Sequence, residues 1–142
     1  MYNDVLVPVD LNHESSWKKS LPTALALCRS FGSTLHLMNV VPDYGLSPVS
    51  QYFPPGTERK LREDAEVQLK QFIAEHVPEQ IKSQAIIGEG SVYREILKVA
   101  ERIGADLVVM ASHRPELSDY LLGANAAKVV RHADCSVMVI RG

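Results

Sequence analysis

Short apolar runs rich in β-branched residues alternate along this chain with stretches whose apolar residues recur at helical spacing. The strand-like runs are 4–10, 34–41, 82–87, 106–111 and 136–140, and the helical stretches are about 15–32, 57–76, 91–104 and 123–132. A strand, a helix and a second strand join by a right-handed crossover that makes the two strands parallel. The alternation therefore predicts an α/β fold, in which helices cover both faces of a parallel sheet.

Serine, proline and glycine residues refine this pattern at the first helix and after the third strand. Ser15 or Ser16 is placed to cap the first helix. Pro22 interrupts its apolar periodicity, so the helix either kinks there or has an irregular first segment. Gly88 and Gly90 are expected to form the turn out of the third strand.

Length and composition narrow the classes of function. The 142 residues are 46% hydrophobic and 23% charged, which is typical of one globular domain, here spanning 1–142. A formal net charge of −2 gives no broad electrostatic case for binding nucleic acid or an anionic membrane. The apolar run Val5–Val9 is too short for a signal peptide or a membrane span. We therefore expect a cytoplasmic protein.

Cysteine and histidine are too dispersed to indicate a metal site. Cys28 falls in a helical run and Cys135 at the entry to a strand, so we expect two free buried thiols. Surface or structural roles are expected for His13, His36, His76 and His132.

The segment 111–125, which joins the fourth strand to the last helix, has features that suit an anion. Gly123 permits close approach to the backbone, and the first amides of the next helix have no partners within that helix. Those amides and the helix dipole favour the binding of a phosphate, and Arg114 can add its planar, positively charged guanidinium group. The alternative is an ordinary connection with Gly123 as a turn residue. If strands one and four are central neighbours, Asp10 and Ala111 meet where the strand order reverses.

Three stretches together resemble the universal stress protein family, and most of all its F/G branch of small single-domain members. They are V-L-V-P-V-D at 5–10, the segment 97–110, and S-H-R-P-x5-L-L-G-A-N at 112–125 with its continuation to Arg141. The resemblance covers essentially the whole chain as one universal stress protein domain. It implies an open twisted five-stranded sheet of order 3-2-1-4-5, Rossmann-like and similar to the adenine nucleotide alpha hydrolases.

The sequence departs from the glycine pattern of the family's nucleotide-binding members, G-x2-G-x9-G followed by Ser or Thr. Ala111 and Arg114 stand at the first two glycines, eight residues separate Arg114 from Gly123, and Ala124 replaces the hydroxyl residue. A shortened S-x-x-P…L-L-G-x-N loop is the F/G branch's own variant. The resemblance therefore leaves the number of bound phosphates open.

The resemblance implies a binding site for ATP, ADP or AMP, with Mg²⁺ on the phosphates as an option. The backbone of Val40 would contact the adenine edge, and the Asp10 carboxylate would accept from ribose hydroxyls or help to hold a divalent ion. The alternative role of Asp10 is a cap on the loop into the first helix. The other implied residues are Pro8 and Val9 in the pocket wall, and Ala111, Ser112, His113, Arg114, Gly123, Ala124 and Asn125 around the phosphates. Tyr44, Tyr52 and Phe53 are either a lid over the base or part of a disordered surface segment.

The implied function is that of a stress-response dimer that binds an adenine nucleotide. The last strand would be an exposed edge unless it paired with its two-fold mate, so we expect a homodimer through Val137, Met138, Val139 and Ile140. Neither nucleic acid nor a membrane is an expected partner. The alternatives are a slow ATPase or self-phosphorylating enzyme on the same site, and a dimerisation module that has lost nucleotide binding. No catalytic residue is assigned, because no feature positions a nucleophilic water.

Overall fold

The computed structural model describes residues 1–41, 54–112 and 123–141. Its strands are β1 (Asp4–Pro8), β2 (Thr34–Val41), β3 (Ser83–Glu89), β4 (Leu107–Ala111) and β5 (Ser136–Ile140). Its α-helices are α1 (Ser20–Phe31), α2 (Thr57–His76), α3 (Val92–Ile103) and α4 (Ala124–His132), and a 3₁₀ turn covers Glu14–Ser16. The predicted bounds of β2, α2 and β5 are confirmed. None of the described helices combines the length and apolar character needed to cross a membrane.

The strands form a parallel sheet of order β3-β2-β1-β4-β5, which confirms the predicted fold class. From β1 the chain moves outward through β2 to β3 and then returns to β4 on the other side of β1. In parallel α/β sheets a crevice opens at such a reversal, outside the carboxyl ends of the strands. The segments that follow β1 and β4 therefore meet at one place.

Apolar side chains pack against both faces of the sheet, and the strand period of two decides which residue faces which helices. Val5, Val7 and Val109 face the core beneath α1 and α2. Leu6 and Val108 face the core beneath α3 and α4. The central strands are therefore buried on both faces, which explains why they are apolar at consecutive positions.

The first α-helix begins later than predicted. The 3₁₀ turn comes first, and α1 follows after a short loop, so Pro22 lies in the first turn of α1, where proline is tolerated. The irregular first segment is confirmed, whereas the predicted cap at Ser15 or Ser16 is wrong, because Lys19 occupies that position without a side-chain hydrogen bond. Instead, the Ser16 hydroxyl accepts a hydrogen bond from the backbone of an earlier loop residue.

Gly88 lies inside β3, where it pairs with Val40. The prediction that Gly88 belongs to the turn after this strand is therefore wrong. The turn is made by Gly90, whose φ of 110° favours glycine. A Cβ atom at Gly88 would lie 2.8 Å from Met38 Cε and 3.2 Å from Glu95 Cβ. The close packing of β2 and α3 against β3 therefore requires glycine at this position.

We expect Gly88→Ala to lower the free energy of unfolding by about 1–3 kcal/mol, because the added methyl group overpacks this contact. The Met38 methyl can rotate away, but Glu95 Cβ moves only if α3 shifts. Urea denaturation measures the effect against Ser83→Ala, an exposed position of the same strand that should change stability by no more than about 0.5 kcal/mol. Equal midpoints for Gly88→Ala and the wild type would contradict the packing argument.

The two cysteines are free but not equally buried. Cys28 in α1 is buried, whereas Cys135 is partly exposed, so the prediction of two buried thiols is wrong for Cys135. Burial raises the pKa of the Cys28 thiol to about 11. Burial is also the main cause that raises the pKa of Cys135.

Because the thiolate is the nucleophile, we expect iodoacetamide at pH 8 to alkylate Cys28 at least about tenfold more slowly than Cys135. Peptide mass spectrometry of timed samples gives the two rates separately. In urea, which removes the burial, both cysteines should react at similar rates. Equal rates in the folded protein would show that Cys28 is more accessible than its position in α1 indicates.

Candidate functional site

A cavity of about 790 Å³ lies at the carboxyl ends of the strands, over the reversal between β1 and β4. This volume is within the range of small-molecule sites, about 300–1,000 Å³. The predicted site residues that line it are Pro8, Val9, Asp10, Val40, Ala111, Ser112, Gly123, Ala124 and Asn125. The predicted residues His113, Arg114, Tyr44, Tyr52 and Phe53 lie outside the described residues.

The cavity has further lining residues that the sequence did not indicate. Those with polar or ionisable side chains include Asn12, His13, Ser15, Ser16, Asn39, Asp64 and Gln68, and those with apolar side chains include Met38, Leu61, Val92 and Ile96. His13 had been expected only in a surface or structural role. Its closeness in sequence to Asp10 was a signal that could have placed it here. The α2 residues gave no local signal, because they reach the cavity through tertiary packing.

The loop after β1 is closed by one hydroxyl group. Asp10 N donates to Ser16 Oγ at 2.8 Å. Ser16 Oγ lies 2.9 Å from the Asp10 carbonyl oxygen and 2.8 Å from the His13 carbonyl oxygen, and its single proton is shared between them. His13 N also donates to the Asp10 carbonyl at 3.0 Å. These bonds fix Asp10 at the end of the central strand.

The Asp10 carboxylate contacts two groups of its own loop. Oδ1 accepts from Asn12 N at 3.0 Å, and Oδ2 lies 2.9 Å from His13 Nδ1. The Asp10 and His13 side chains are each 40% exposed. The bond to Asn12 is the loop cap considered as the alternative role of Asp10. Since the same residue also lines the cavity, the two roles are compatible.

The start of α4 is tied to the end of β4 through Ser112. This buried residue accepts from Gly123 N at 2.6 Å and donates its own N–H to the carbonyl of Ile140 at 2.9 Å. The helix begins at Ala124, one residue later than predicted, so Gly123 directly precedes it, with an ordinary φ of −57°. The first bond of the helix runs from Ala127 N to Gly123 O at 3.0 Å. The amides before Ala127 therefore have no partner within the helix and form the positive end of its dipole.

Ionisable side chains among the described lining residues are Asp10, His13 and Asp64, without lysine or arginine. In the described ranges, no group of three or more His, Cys, Asp or Glu side chains could hold a metal ion. For the described part of the wall, positive potential for an anion therefore comes from the start of α4. The acidic side chains are suited to accept from hydroxyl groups.

His36 has the structural role expected for it. It is buried in β2, with Nδ1 2.8 Å from Gln84 Oε1 and Nε2 2.9 Å from Asp4 Oδ1. These contacts link β3, β2 and β1 near their amino ends, away from the cavity.

The model of the universal stress protein family matches residues 1–141. Universal stress protein G of Shigella flexneri is 31% identical over 143 residues, which cover 99% of this chain and 100% of the relative. The solved structure of the Methanocaldococcus jannaschii protein MJ0577 is similar with a TM-score of 0.75 and 26% identity, over 100% of this chain and 97% of that one. An Archaeoglobus fulgidus universal stress protein, solved in complex with dAMP, shares the fold at a TM-score of 0.68 and 17% identity, over 99% and 98% of the two chains.

Proposed function

The chain belongs to the universal stress protein family, and from this premise we propose that it binds ATP, ADP or AMP in the cavity between β1 and β4. The proposed cellular role is that of a cytoplasmic stress-response dimer. One observation carries the ligand assignment. The end of β2 at Val40, the carboxylate of Asp10 after β1 and the start of α4 at Gly123 all line the same cavity.

Each part of the cavity suits a different part of an adenine nucleotide. The backbone of Val40 offers hydrogen bonds to the adenine edge, beside apolar walls from Met38 and Ile96. The Asp10 carboxylate accepts from ribose hydroxyls. The amides at the start of α4 donate to phosphate oxygens.

The proposal extends to the residues around the phosphates. Ala111 adds only a methyl group where the family has glycine, and Asn125 supplies a polar side chain beside Ala124. His113 and Arg114 are included because the family resemblance implies them. Mg²⁺ would bind mainly through the phosphates. The dAMP complex of the Archaeoglobus fulgidus protein supports this class of ligand, because that protein has the same fold.

Absorbance and calorimetry test the proposal. A raised ratio of absorbance at 260 nm to that at 280 nm, with chromatography of the denatured supernatant, identifies a nucleotide that co-purifies. Titration of stripped protein with adenosine, AMP, ADP and ATP, with and without Mg²⁺, then gives the affinity added by each phosphate. No retained nucleotide together with no heat of binding would overturn the proposal. With ATP labelled on the γ-phosphate, release of labelled phosphate reports hydrolysis and transfer of the label to the protein reports self-phosphorylation, and neither is expected from binding alone.

The dimer is proposed from the exposed edge of the sheet. Within the described sheet β5 pairs with β4 only, and residues 137–140 are partly exposed. An apolar edge strand of this kind invites pairing with a second strand. We expect size-exclusion chromatography with light scattering to give twice the chain mass at micromolar concentration. A monomer under those conditions would contradict pairing through β5.

A further inference from the structure

We propose that His13 positions the Asp10 carboxylate and thereby sets the preference of the site for ribose over deoxyribose. The inference rests on the proposed nucleotide site. It goes beyond that site by assigning sugar selection to one nitrogen of an imidazole that is not part of the glycine pattern.

The contact between the two side chains defines a donor and an acceptor. His13 Nδ1 lies 2.9 Å from Asp10 Oδ2. An ionised carboxylate can only accept, so Nδ1 carries the proton and donates it. In the neutral ring, Nε2 is then the acceptor nitrogen.

The His13 donor restrains a torsion of the carboxylate that is soft by itself. Rotation about Cβ–Cγ of an aspartate has a broad profile, so the contact to Oδ1 from Asn12 N does not by itself define the plane of the group. A second donor on Oδ2, from His13, fixes that plane. The bonds of Ser16 hold the loop backbone, so His13 is itself presented from a fixed position. Fixing a binding group in advance removes an ordering cost from the binding step.

Strand order places the sugar at Asp10. β1 lies between β2 and β4, and Val9 N donates to the Met38 carbonyl at 2.8 Å, which ties the end of β1 to β2. If the base of a ligand lies at Val40 and its phosphates lie at Gly123, the part of the ligand that joins them must lie beside Asp10. In a nucleotide that part is the sugar.

Two isosteric variants separate the nitrogens of the ring. In His13→Asn the amide nitrogen takes the place of Nδ1, and in His13→Gln it takes the place of Nε2. His13→Ala removes both. The ligands are AMP, 2′-deoxy-AMP and 3′-deoxy-AMP, and calorimetry gives each affinity.

We expect the wild type to bind at least one deoxy analogue about ten- to a hundredfold more weakly than AMP, because a hydrogen bond to a charged group is lost. His13→Asn should keep this ratio. His13→Gln and His13→Ala should bring it to within about threefold of unity by weakening AMP alone. A general collapse of the loop would instead weaken AMP and both analogues equally.

The outcomes distinguish the inference from the proposed function. Binding of AMP without sugar preference in the wild type would overturn the inference alone, as would a full preference in His13→Ala or a loss in His13→Asn. Absence of binding by AMP, ADP and ATP alike would overturn both. The pairing itself has a readout without ligand, since nitrogen-15 spectra should show the Nδ1–H tautomer of His13 at pH 8. A neutral ring that carries its proton on Nε2, with Nδ1 unprotonated, would overturn the positioning role.

Discussion

Gly123→Val is expected to weaken the binding of ATP roughly 30- to 700-fold, about 2–4 kcal/mol, because hydrogen bonds to a charged ligand are lost. Gly123 lines the cavity directly before α4, so a valine side chain at this position adds bulk beside the amides at the start of that helix. Gly123 has a backbone conformation that valine can adopt, with φ at −57° and ψ at 150°, so the fold should be kept. Adenosine, which has no phosphate, should bind the variant and the wild type with similar affinity.

Ala127→Val is the matched control for this experiment. Residue 127 is exposed on the same helix, one turn beyond Gly123, so the same side chain there should leave the affinity for ATP unchanged. Calorimetry with both ligands on both variants gives the comparison. If ATP bound Gly123→Val as well as the wild type, the phosphates would have to lie elsewhere in the cavity.

The second large effect is expected in the core, at the central strand. Leu6 is fully buried in β1 and packs in one cluster with Met38, Ile96 and Val108. We expect Leu6→Ala to lower the free energy of unfolding by about 2–5 kcal/mol. The strands on both sides of β1 hold their positions, so the void left by the deleted side-chain atoms cannot close. Since domains are typically stable by about 5–15 kcal/mol, this is a large share of the total.

Urea or thermal denaturation, followed by circular dichroism, measures the loss. Val67→Ala serves as the control because Val67 is 65% exposed on α2, and its stability should stay within about 0.5 kcal/mol of the wild type. A loss below about 1 kcal/mol for Leu6→Ala would mean that the core relaxes around the missing atoms.

The sequence predicted those features of the fold that depend on local pattern. Consecutive apolar residues such as Leu6 and Val7 identify a strand buried on both faces, and four crossovers then give a parallel sheet. The start of the first helix was not predictable in this way, because Ser16 is engaged with Asp10 across the loop. The position of Gly88 inside β3 depends on β2 and α3, which lie far from it in sequence.

Some residues of the candidate site could likewise be predicted from local sequence, whereas others are placed there only by tertiary packing. Asp10 and Gly123 are found from the residues around them, since Asp10 follows the end of β1 by two residues and Gly123 directly precedes α4. His13 is close to Asp10 in sequence, but only the folded loop shows that its ring contacts the carboxylate. Asp64 and Gln68 lie midway along α2, and the packing of that helix against the sheet brings them to the cavity.

Ser112 connects the cavity with the edge of the sheet. Its backbone N–H bonds to Ile140 of β5, and its carbonyl accepts from Gly123 at the start of α4. A ligand held at α4 and a second chain paired with β5 would therefore share one short path of hydrogen bonds. By thermodynamic linkage, any factor by which the nucleotide strengthens dimer association must return as the same factor in nucleotide affinity. If the proposed dimer and nucleotide site are coupled in this way, the concentrations of nucleotide and of protein would act on the same assembly equilibrium.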